Sequence, residues 1–132
     1  MRKTPGRTTD TTDLAVIASD YNWREAFTAA SSPKRVEGAT VDEAGFGVAD
    51  VAHVYDADPG ENDGPSWMIA GLLNDGRSFY IEAGCDYTGW DCRSWGTSWV
   101  ANDLAGILRW GMTDEARERL PGVHAAVVGG AP

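Results

Sequence analysis

The chain has 132 residues, a formal net charge of −9 and 42% apolar residues. That is enough for one modest core but not two, and too apolar for wholesale disorder. No run approaches the ~18 apolar residues that a membrane-spanning helix needs, and no apolar stretch follows the charged N-terminus as in a signal peptide. A cytoplasmic protein with reduced thiols and no membrane contact is therefore expected.

Residues 1–13 are Thr-rich and unpatterned, which predicts a disordered arm. Leu14 to Ala18 is a short apolar run whose state periodicity alone leaves open. Asn22 and Glu25 have capping-box spacing, and the helix they open places Trp23, Ala26, Phe27 and Ala30 on one face. Ser31-Ser32-Pro33 ends it, and the glycine-bearing residues 34–47 read mostly as loop.

Strands are expected at Val51–Tyr55, Trp67–Leu73 and Ser78–Ala83, with a fourth at Thr97–Ala101. The middle two are joined by Asn74-Asp75-Gly76, a hairpin signal because Asp-Gly tolerates positive φ. Asp56–Ser66 is a dense turn cluster, and residues 84–99 carry a shaped loop. The C-terminal third reads as two helices. Asp103 caps the first, with Leu104, Ile107 and Leu108 as its apolar stripe and Gly111 as its stop. Thr113 caps the second, Asp114–Leu120, whose early acids and later arginines suit the helix dipole. Pro121-Gly122 then closes the fold, and 123–132 reads as a flexible tail. The predicted fold class is α+β: a three- or four-stranded antiparallel meander with an N-terminal helix and a C-terminal helical pair, in a single domain over 14–122.

Charge is uneven along the chain. Nine acidic residues and no lysine or arginine lie between Val36 and Gly76, while the remainder balances eleven acids against eleven bases. That balance disfavours direct binding to a nucleic-acid backbone and suits a protein partner with a basic patch or a divalent cation, with a solubilising acidic face as the plain alternative. Asp56–Gly64 has the composition of a calcium loop but not its ligand spacing, since Gly60 stands where an oxygen ligand is required. A solvated turn whose Asn and Asp side chains bond their own backbone accounts for it without metal.

Both cysteines lie in Gly84-Cys-Asp-Tyr-Thr-Gly-Trp-Asp-Cys92, a stretch rich in rigid aromatics and carboxylates. Zinc needs four ligands at close spacing, and only His53 and His124 could supplement the thiols. A nucleophilic Cys85 assisted by His53 and oriented by Asp86 or Asp91 is the sharper alternative, though no thiol-enzyme signature surrounds it. The simpler expectation is that Cys85 and Cys92 are reduced, close together and buried, pinning the loop so that Tyr87 and Trp90 point outward. Trp, Tyr and Arg dominate interaction hot spots. Asp86, Tyr87, Trp90, Asp91 and Arg93, with Glu61, Asp63 and Trp67, are therefore the expected binding face, and no cofactor or metal is expected.

Three phrases, Gly60-Glu-Asn-Asp-Gly-Pro-Ser-Trp67, Asp75-Gly-Arg77 and Ala83-Gly-Cys-Asp-Tyr-Thr-Gly-Trp-Asp-Cys92, together resemble a family of small bacterial and phage proteins of unassigned function, over residues 20–120. The resemblance implies a small cytoplasmic protein of mobile or phage genomes, a context in which such proteins commonly bind one host protein. It carries no catalytic residue. The expected function is thus a small acidic non-enzymatic interaction protein. The alternatives are a metal-binding or cysteine-dependent enzyme centred on Cys85, Cys92 and His53, and an acidic mimic of nucleic acid.

Overall fold

The computed structural model describes residues 13–132, so the arm expected at 1–13 lies almost wholly outside them. The fold is α+β, built on a five-stranded mixed sheet with helices on both faces. In chain order come α1 (Leu14–Ser19), α2 (Tyr21–Ala29), β1 (Pro33–Arg35), β2 (Val51–Asp58), β3 (Trp67–Leu73), β4 (Ser78–Asp86) and β5 (Gly89–Ala101). A helical segment follows that opens as an α-turn (α3, Leu104–Gly106) and widens into a π-turn over Ile107–Gly111, then α4 (Asp114–Arg119) and α5 (Pro121–Val128).

Strand order is β1-β5-β4-β3-β2. From β2 to β5 each strand pairs antiparallel with the next, and β2 and β5 are longer than expected. The expectation of three or four antiparallel strands is corrected by β1, which pairs in parallel with β5 through Pro33↔Ser98 to Arg35↔Val100. Three residues that include a proline and two exposed bases give no strand signal, yet they suit a short edge, where a missing N–H and a charge are tolerated.

Alternation along β3 and β4 builds two cores. Trp67, Ile69, Phe79, Ile81 and Ala83 face α1 and α2, where they meet Ile17, Trp23, Ala26 and Phe27. Met68, Ala70 and Tyr80 face the other way, against Leu104, Ile107, Leu120 and Val123. The period of two in a sheet covered on both sides is what makes both sets apolar. Gly71 is obligatory here, because a Cβ would lie 2.8 Å from the Phe79 ring and 2.4 Å from the His53 carbonyl. In the space it leaves, Phe79 lies 6.0 Å from Phe27 and 5.1 Å from Phe46, centroid to centroid.

The termini depart from expectation most. The ambiguous run at Leu14 is helical, capped by Asp13, and α2 is capped by Asp20, whose carboxylate accepts from the Trp23 N–H at 3.0 Å. Asn22 is therefore inside the helix, not its cap. At the other end the expected tail 123–132 contains most of α5, with Val123 fully buried. Pro121 begins that helix rather than closing the fold, using the N1 position where a missing N–H costs nothing. The final carbonyl, of Pro132, accepts from the Leu104 N–H at 3.0 Å. Gly-rich composition concealed a segment held by the second core.

Candidate functional site

The 84–99 stretch is not a loop but the far end of a long hairpin. β4 and β5 pair continuously from Ser78↔Ala101 to Cys85↔Ser94, and then the register jumps to Asp86↔Gly89. Residues 90–93 of β5 are thereby extruded from its pairing with β4. Gly89 supplies the left-handed φ of +95° that closes the Tyr87-Thr88 turn. Asp86 fixes that turn by accepting from the Thr88 N–H (3.0 Å) and hydroxyl (2.5 Å), and these bonds hold its carboxyl below the usual range. The extrusion swings Trp90 onto the α2 side of the sheet, 5.1 Å from the Trp67 ring, and its indole N–H donates to Asn22 Oδ1 at 3.0 Å.

The 59–66 turn docks on this hairpin. It closes on itself through Glu61 N–H to Pro65 O (2.8 Å) and Gly64 N–H to Glu61 O (3.1 Å). Asp63, at φ +53°, turns its N–H to the Cys85 carbonyl at 3.0 Å. Asn62 is the clamp: its amide donates to the Tyr87 carbonyl at 3.1 Å and its Oδ1 accepts from the Cys85 thiol at 3.1 Å. Both polar ends of Asn62 are used in holding the two loops together.

Between them opens a cleft of about 460 Å³, walled by Trp67, Trp90 and Tyr21, floored by Cys85 and edged by Glu61 and Asp91. Among the described residues no lysine or arginine lines it. Burial and then the neighbouring Asp86 charge push the Cys85 thiol up, which disfavours a thiolate. Tyr21 is also pushed up, first by desolvation and then by Asp91 and Glu25.

Of the residues expected to bind, Glu61, Trp67, Trp90 and Asp91 line this one cleft. Tyr87, 75% exposed, stands free at the hairpin tip. Asp86 is consumed by its turn, while Asp63 and Arg93 are exposed beside the cleft without lining it. Two expectations are corrected. Trp90 is buried, not outward, because its ring completes the Trp67 wall. The cysteines do not form a buried pair: Cys85 is buried and Cys92, within the extruded segment, is exposed, and both are free thiols.

The supposed Cys85–His53 pairing does not form either. His53 is exposed on the edge strand and aligns with Leu72, which aligns with Ser78. Cys85 is seven residues farther along β4, roughly 24 Å at the rise of an antiparallel strand. Among the described residues no group of three His, Cys, Asp or Glu side chains is arranged to hold a metal ion. The acidic window is also less continuous than its sequence suggests, since Asp56 and Asp58 are each only 1% exposed.

Sequence reasoning missed Tyr21, Asn22 and Asn62. Asn22 carried a capping signal that Asp20 satisfies instead, and Asn62 sat inside a turn cluster whose side chains looked interchangeable. No family model, no curated protein and no solved structure matches this chain. Among the described residues no helix is long and apolar enough to cross a membrane. Fold and site together define an α+β protein with an acidic, aromatic-walled cleft at one end of its sheet.

Proposed function

We propose that this chain is a small acidic non-enzymatic interaction protein whose hairpin tip binds a protein partner carrying a basic patch. In the phage or bacterial context that its sequence motifs resemble, the partner is a host factor whose behaviour the binding alters. The observation that carries the reading is the cleft: two carboxylates at its edge, aromatic walls, no basic lining residue among the described residues, and Tyr87 exposed beside it. An exposed tyrosine next to a concave aromatic site is the usual composition of a binding hot spot. Acids around it steer a basic surface toward it. The raised thiol of Cys85 and its separation from His53 argue against nucleophilic catalysis at the same place.

Selection of random displayed peptides against the immobilised protein tests this. Enriched peptides should be rich in arginine and lysine, and should weaken with added salt. They should lose about tenfold or more in affinity for a Tyr87→Ala, Asp91→Asn double variant, as expected for a hot-spot aromatic plus one charge. Enrichment of peptides without basic residues, or binding that the double variant retains in full, would overturn the proposal.

A further inference from the structure

Resting on that reading, we infer that the cleft is a guanidinium pocket, taking one arginine side chain of the partner against the Trp90 and Tyr21 rings with Glu61 and Asp91 as its counter-charges.

The donors and acceptors left over in the cleft lead there. Asn62 spends both ends of its amide on Cys85 and Tyr87, and Asn22 Oδ1 is taken by the Trp90 indole. The Cys85 thiol is likewise committed to Asn62. Glu61 and Asp91 contribute no side-chain hydrogen bond or ion pair to the fold among the described residues. Beside the Asn22 amide N–H groups and the Tyr21 hydroxyl, what remains open in the cleft is the charged acceptor pair Glu61 and Asp91, which calls for a positively charged ligand rich in donors. The ligand must also meet aromatic walls. An ammonium is a compact, strongly hydrated charge, whereas a guanidinium is planar, weakly hydrated, stacks on aromatic rings and presents forked N–H groups to carboxylates. Arginine satisfies both demands with one group.

Size agrees. A cleft of about 460 Å³ is far beyond a water site (~30 Å³) and falls in the range of small-molecule pockets, so it can admit a long side chain together with adjoining backbone. Its construction favours a preformed site, since the Trp67–Trp90 wall is fixed by the Asn22 bond and the edge loop by Asn62. Little ordering cost then falls on binding.

The test titrates the protein with N-acetyl-arginine amide, its lysine counterpart and its neutral citrulline counterpart, following by NMR the indole N–H of Trp90 and the side-chain amide of Asn62. The arginine probe should give saturable shifts of both signals. Lysine and citrulline should bind more weakly by about tenfold, the value of one lost charge-assisted or stacked contact. A Glu61→Gln, Asp91→Asn variant should weaken arginine by about tenfold or more with its melting temperature unchanged, because neither carboxylate holds the fold. Equal binding of lysine or citrulline, a trimethyl-lysine peptide that binds more tightly than arginine, or shifts that bypass Trp90 would overturn the inference. If those results appear while Tyr87-dependent capture of basic peptides persists, the guanidinium pocket fails and the interaction face stands. If arginine binds the cleft and peptide selection yields no basic sequences, the interaction face fails and the pocket stands.

Discussion

On the face of the sheet covered by α4 and α5, Asp56 and Asp58 are each 1% exposed, and at the tip of the opposite face Glu61 and Asp91 stand at the edge of an open cleft. Three of the four come from a single run of six residues. Asp58 receives Arg119 Nε at 2.9 Å, and the same guanidinium reaches the Ser66 carbonyl at 2.7 Å, so that one side chain ties β2 to the start of β3. Asp56 accepts the Gly122 N–H at 2.8 Å and thereby caps the first turn of α5 from a distant strand, in addition to the Ala57 N–H at 2.9 Å. Glu61, three positions beyond Asp58, makes no side-chain hydrogen bond or ion pair among the described residues. The difference teaches that the charge of this chain has two uses. Part of it is internal cement for the second core, and only the rest is available to a partner.

Removing the cement should cost most. Replacing Arg119 with methionine takes the guanidinium from a carboxylate at 1% exposure, with the arginine side chain itself only 12% exposed. The expected loss is about 3–5 kcal/mol, the usual consequence of breaking a buried ion pair on one side. Urea unfolding followed by tryptophan fluorescence measures it, and a cost no greater than that of a surface substitution would erase the contrast between the two acid groups.

Asp56→Ala is the next step down. It leaves the Gly122 and Ala57 N–H groups without the carboxylate, at about 1–2 kcal/mol, the scale of a lost helix cap. Loosening should begin at α5, so hydrogen exchange of the amides of Val123 and its neighbours should accelerate before the sheet does. Uniform acceleration across β3 and β4 would instead mean that α5 opens only with the whole protein.

These two acids also mark where the sequence could and could not be read. The hairpin Trp67–Leu73 with Ser78–Ala83, the apolar face of α2 and the caps Asp103 and Thr113 follow from local rules, and the fold bears them out. Each depends on residues within a few positions of one another. Asp56 looked like any turn acid because its partner lies 66 residues away, and α5 looked like a tail because glycines and alanines hid a helix that a distant carboxylate caps. The cleft was legible in part for the same reason. Trp67, Trp90, Glu61 and Asp91 were conspicuous by type, but the inward turn of Trp90 depends on a register jump after Cys85, and no local pattern announces a jump of that size. Asn22 and Asn62 act across 68 and 25 residues, and an asparagine's partner is not written beside it.

The smallest effect belongs to the two cysteines, which sharpen the same contrast between consumed and available groups within the cleft itself. Cys92 is exposed and Cys85 is buried, committed to Asn62, and pushed up by burial and the Asp86 charge. At neutral pH one thiol should therefore react promptly with an aromatic disulfide reagent and the other only slowly, since it is the thiolate that attacks. Cys92→Ser should abolish the prompt phase and change stability by no more than about 0.5 kcal/mol, as for other exposed positions. Cys85→Ser should leave the prompt phase intact and cost about 1 kcal/mol, because the serine hydroxyl still has Asn62 to donate to but fills the floor of the cleft less well. Two prompt thiols in the native protein would mean that the Asn62 clamp is open in solution. The edge loop would then be free to leave the hairpin, and with it the preformed character of the cleft would be lost.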